Sequence, residues 1–144
     1  MDNYPIQLSE NILLKAKLGQ DSSILRRELY YVKVKKLESY LNNDELKSVF
    51  WCNIYNAYVL IIAKENVGKS EVFQYKRIKI AHNTFSLDDI EFKVLGMGSR
   101  NLFYKFVCKL FCPSYIRKLA LDSVDYSLQI KLNKTSLNTT LTHH

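Results

Sequence analysis

Glycine and proline are scarce in this chain of 144 residues, at four and two. Few tight turns can be built from so little, which favours long regular elements and helix above all. Cysteine is scarce too. Cys52, Cys108 and Cys112 form an odd set, which does not read as a disulfide framework. The opening MDNYPIQLSE lacks a basic region followed by an apolar run, so no secretory signal is expected. The longest purely aliphatic run, Val59 to Ala63, is far short of a membrane span. A reducing cytoplasm is the expected compartment. Acidic residues are missing from one end: residues 93–144 hold two against eight Lys/Arg, whereas residues 1–92 hold 12 against 13. The net charge of +7 therefore gathers in the last third. That third is either a solvated lysine-rich face or a surface for an acidic protein or an anionic surface.

What remains is an ordinary globular composition, 47% hydrophobic and 24% charged, at a length suited to one domain. Residues 1–134 read as a single domain and the polar, aperiodic tail at 135–144 as disordered. The expected class is α+β and helix-rich, with a central buried helix packed among other helices and one short sheet or hairpin. Apolar residues at 12, 13, 14, 16 and 18 predict a short helix capped by Ser9. Leu25, Leu29, Val32, Leu37 and Leu41 make a loose helical stripe across residues 21–41. Asn42, Asn43, Asp44 and Glu45 end that helix and begin the next, because Asn and Asp cap exposed N–H groups and acids suit the positive helix end. The long helix runs to about Asn66, with Gly68 closing it. RIKIAHNTF at 77–85 alternates weakly, as a strand or hairpin arm does. SLDDIEFKVLG follows as a helix, with Ser86 as cap, Asp89 completing a capping box and Gly96 as terminator. Helices at 100–111 and 114–121 and a strand over 125–133 complete the reading.

Two chemical motifs fail on inspection. Gly68-Lys69-Ser70 resembles the end of a phosphate-binding loop, but Ala63 stands where the first glycine belongs and a helix precedes it. Cys108 and Cys112 share a helical face, yet His82, His143 and His144 offer no matching spacing for a four-ligand zinc site. No metal and no cofactor is expected.

FWCNIYNAYVLIIAKE, residues 50–65, carries Asn53 and Asn56 in an otherwise apolar helix. With no broad wet face this helix belongs at the centre of the fold. A buried amide must find hydrogen-bond partners there. Asn53 and Asn56 share one helical face, and Trp51 and Tyr55 another. The amides either lock neighbouring elements or line a pocket.

FWCNIYNAYVLI resembles the Phe-Trp-x-Asn-x-Tyr-Asn-Ala signature of the bacterial and plant family catalogued as domain of unknown function 547. FSLDDIEFKVLG is similar to that family's second signature, a Ser-Leu-x-x-Ile-Glu-His stretch followed by arginine. Together with the preceding helix, the resemblance covers about residues 25–96. It singles out Trp51, Asn53, Tyr55, Asn56, Ser86 and Glu91. There are departures. Phe92 stands at the family's His and Gly96 at its Arg. SLQIKLNKT aligns with a later family strand, with Gln129 at a histidine, Asn133 at an asparagine and Lys134 at a cysteine. The family domain also continues further, so the resemblance implies its N-terminal part or a degenerate copy.

Three functions follow as expectations. The first is a non-catalytic binding or scaffold module. The second is a thiol-type hydrolase or transferase resembling papain-like or transglutaminase-like folds, with Cys52 as nucleophile and His82 as base. The third is a basic, aromatic surface at RNLFYKFVCKLF for anionic membrane or nucleic acid.

Overall fold

The computed structural model describes residues 3–65, 73–96 and 113–122. Its order is α1 (Tyr4–Lys17), α2 (Ser23–Tyr31), α3 (Val34–Tyr40), α4 (Asp44–Glu65), β1 (Ile78–Ile80), β2 (Asn83–Phe85), a π-helix (Asp89–Val94) and α5 (Ser114–Leu119). This is the helix-rich α+β arrangement expected, with a two-stranded antiparallel sheet. The positions at Gly68, 100–111, Cys108, Cys112, 125–134 and the tail lie outside the described residues.

α1 starts earlier than its apolar pattern suggests. Asn3 is the cap, its Oδ1 accepting from the Ile6 N–H at 3.3 Å, and Pro5 sits in the first turn, where a missing N–H costs nothing. Ser9 is buried inside the helix and is not a cap. The helix ends in a Schellman turn: Gly19, at φ 68°, donates to Ala16, and Gln20 to Lys15.

The 21–41 stripe is two helices rather than one. Val32 and Lys33 are extended, and the last carbonyls of α2 receive outside donors. The N–H groups of Ala81 and His82 reach the Leu29 and Tyr30 oxygens at 3.1 and 2.7 Å. Those two donors form the hairpin turn between β1 and β2. Both residues have positive φ, 52° and 63°, as a two-residue hairpin of mirror-image type demands. Left-handed backbone costs roughly 1–2 kcal/mol at a non-glycine residue. Satisfying two orphan helix carbonyls offsets it. Across the hairpin Ile78 pairs with Phe85 and Ile80 with Asn83. Ile78 and Ile80 point inward while Lys79 faces water, which is the period-two pattern of a half-buried strand.

α4 is the centre. Asn43 caps it, accepting from the Leu46 N–H at 2.8 Å, and ten of its residues are buried. Phe50, Trp51, Ile54, Tyr55, Val59 and Ile62 are at most 1% exposed. Each large apolar side chain so buried stabilises by roughly 1.5–3 kcal/mol. By length and composition α4 would also cross a membrane, although its longest aliphatic run does not. In this fold α1, α3, β2 and the segments beyond them contribute side chains to the core that holds it.

Candidate functional site

The two faces of α4 expected from residue spacing go to different places. Asn53 turns toward α1: its Nδ2 donates to Ser9 Oγ at 3.1 Å, and Ser9 Oγ donates to the Ile6 carbonyl at 2.7 Å. Asn53 and Asn56 are both half-buried rather than enclosed. The amides therefore sit at the margin of the core, and Asn53 ties α4 to α1 there.

Trp51 and Tyr55 turn toward the second signature. The Trp51 ring lies 5.2 Å from that of Phe85, at the end of β2. Its Nε1 donates to the Leu119 carbonyl at 3.2 Å. One turn earlier, Lys47 is 8% exposed and its Nζ donates to the Ala120 carbonyl at 3.0 Å. A further turn back, Asp44 Oδ1 accepts from the Asp122 N–H at 2.7 Å. Residues 44, 47 and 51 thus form one stripe that fastens the end of α5. Lys47 was not singled out from sequence. Its signal was the four-residue step to Trp51, which puts an ammonium on a face otherwise destined for the core.

The Tyr55 hydroxyl is fully buried and has no hydrogen-bond partner among the described residues. Burial pushes its pKa far above the usual phenol range, and the nearby Glu91 and Asp88 carboxylates push the same way. At physiological pH it stays protonated, a donor and never a base. Glu91 is itself buried, at 6% exposure. So Tyr55 of the first signature lies within electrostatic reach of Glu91 of the second.

Ser86 and Asp89 form the reciprocal capping box that their spacing predicts. The Ser86 N–H donates to Asp89 Oδ2 at 2.9 Å and the Asp89 N–H to Ser86 Oγ at 3.0 Å. Lys76 and Lys93 close on the same carboxylate at 2.8 and 3.2 Å. Burial alone would raise the Asp89 pKa. The bonds from Lys76, the Ser86 backbone and Lys93 outweigh it and hold the carboxyl below its usual range. The helix so started is wider than expected: Leu95 donates to the Ile90 carbonyl at 2.8 Å, five residues back. Ile90 and Glu91, then Val94 and Leu95, face inward, while Phe92 and Lys93 face out. Phe92, where the resemblance expects a histidine, is 39% exposed. Gly96 ends the segment at φ 71°.

Cys52 and His82 are set in contrasting surroundings. Cys52 is in the core, 7% exposed. His82 is exposed at the hairpin turn, its ring 5.3 Å from Tyr30 and 5.7 Å from Tyr31. Among the described residues no three His, Cys, Asp or Glu side chains converge as metal ligands do.

No curated protein and no solved structure gives a significant match to the chain. The model of a family described as "protein of unknown function, DUF547" matches residues 39–140. That span includes both signatures and extends through the basic last third. It begins later and ends later than the resemblance read from the two motifs. The match, together with two signatures that pack on one another, identifies the chain as a member of the DUF547 family.

Proposed function

We propose that the chain is a non-catalytic binding module, working in the cytoplasm, for which the family core serves as scaffold. What supports this reading is where the signature side chains are engaged. Trp51 holds the end of α5, Asn53 holds α1, and Ser86 holds the start of the π-helix. They join elements of the fold to one another.

Thiol chemistry would need an accessible thiolate beside a base. Cys52 is buried among apolar side chains, and apolar surroundings disfavour the thiolate, the form that attacks. His82 packs tilted and edge-on against two tyrosines at the surface, and Phe92 stands where the resemblance expects the family's histidine.

Labelling of the folded protein with an iodoacetamide probe at neutral pH, followed by peptide mapping, tests this. Cys52 is expected to react slowly and to speed up only on denaturation. Rapid labelling of Cys52 in the native state, slowed by His82→Ala, would overturn the reading in favour of an enzyme.

A further inference from the structure

A groove of about 680 Å³ opens where the start of α1, the outer face of α2 and the α2–α3 elbow meet. On α2 it is lined by Ile24, Arg27, Glu28 and Tyr31, spaced as one helical face. The core-facing residue of that helix is Leu29, 1% exposed. Several of the groove's large side chains are turned to water. Ile24 is 71% exposed, Tyr31 63% and Tyr4, across the groove, 42%. Singly exposed apolar residues need no explanation, but several gathered in one concavity mark a binding surface.

Charge identifies the kind of occupant. Arg27, Lys33 and Lys36 surround the apolar floor, and none of the three is in an ion pair among the described residues. The groove's one carboxylate, Glu28, accepts from the Tyr4 hydroxyl at 2.8 Å. Its charge therefore already has a donor from the opposite wall. An apolar floor with a cationic rim is complementary to a segment that carries an aliphatic or aromatic anchor between acidic residues.

We propose that this groove docks an acidic peptide segment of a partner protein through such an anchor, a proposal that rests on the binding-module reading. A single nucleic-acid strand would meet the same cations and the rings of Tyr4 and Tyr31, but the aliphatic Ile24 and Val32 favour a docked side-chain anchor over a stacked base. Apart from Tyr40, the lining precedes residue 39, where the family match begins. The docking specificity accordingly belongs to the segment ahead of the shared domain.

The test is a peptide array combining Asp and Glu with Leu or Phe in varied order, probed with the full chain. The strongest peptide is then titrated by fluorescence anisotropy beside a labelled oligothymidylate. Ile24→Asp and the Arg27→Glu, Lys36→Glu double variant each change only exposed side chains, so their melting temperatures should match wild type. Each is expected to weaken peptide binding by about tenfold or more, and added salt should weaken it further. Removing Leu and Phe from the peptide should also weaken it. An array without binders, variants that bind as wild type does, or tighter binding of oligothymidylate would each overturn the proposal. Cys52 labelling does not involve the groove, so the groove can fail while the module reading stands, and the reverse.

Discussion

Replacing Asp89 with alanine removes the acceptor that holds the start of the π-helix. The Ser86 N–H, bonded to Asp89 at 2.9 Å in a residue 3% exposed, loses its partner. Stranding a buried donor costs roughly 1–3 kcal/mol. Lys76 and Lys93 lose their ion pairs too, but their side chains are 56% and 41% exposed, so solvent screening leaves each worth about 0–1 kcal/mol. The expected loss at neutral pH is about 1–5 kcal/mol, a large share of the roughly 5–15 kcal/mol that holds a domain together. Asp89→Asn keeps an acceptor and loses only the charge, so it should fall between wild type and the alanine variant.

The pH dependence carries a definite sign. The carboxyl pKa is lower in the folded protein than in the unfolded chain. Its stabilisation is thus fully present above the unfolded value, about 4, and is lost as pH falls through the folded one. Urea unfolding followed by the fluorescence of Trp51, the single tryptophan, measures both effects. The gap between wild type and Asp89→Ala should be widest near neutrality and narrow in acid. A gap unchanged across that range would refute the charge argument. Curves that overlay at neutral pH would refute the capping box as a source of stability.

Trp51→Phe keeps an aromatic ring against Phe85 but strands the Leu119 carbonyl, with an expected loss of roughly 1–3 kcal/mol. Circular dichroism would follow unfolding, and hydrogen exchange should quicken first at residues 119–122. Gly19→Ala should cost about 1–2 kcal/mol in a thermal or urea melt. The nearest atom to an added Cβ is Lys64 Nζ at 4.0 Å, so the loss comes from the left-handed backbone and not from crowding. An unchanged melt would remove that argument.

Local chemistry was legible wherever both partners lay within a turn of each other. Ser86 and Asp89 are three residues apart, and their capping box could be read directly. Asn43 at the start of α4 was equally plain. At α1 the apolar run drew attention to Ser9, though Pro5 beside Asn3 was the better local sign of a helix start. The break after Tyr31 has no glycine or proline to announce it. It depends on donors from Ala81 and His82, some 50 residues further on. The same bonds explain a hairpin turn made from two residues that rarely take positive φ. The alternation of Ile78 and Ile80 revealed the strand, but its turn was a tertiary fact. The widening of the helix after Ser86 was hidden for a like reason, since an α pattern and a π pattern differ by one residue per turn.

The site depended on something a single sequence does not hold, the rotation of α4 about its own axis. An amphipathic helix announces its orientation, because one stripe must leave water. α4 is apolar nearly all round, which says that it is central and leaves its rotation open. Its polar atoms then decide. Once the helix is buried, the Lys47 ammonium, the Trp51 N–H and the Asn53 amide must each reach an acceptor or carry the cost of an unpaired group. The acceptors are the Ala120 and Leu119 carbonyls on one side and Ser9 Oγ on another. Few rotations satisfy all three. The one that does also sets Trp51 against Phe85 and brings Tyr55 under the influence of Glu91. On this argument the polar residues of α4 orient it, and substituting Lys47 together with Asn53 should loosen its packing by more than the two single losses added.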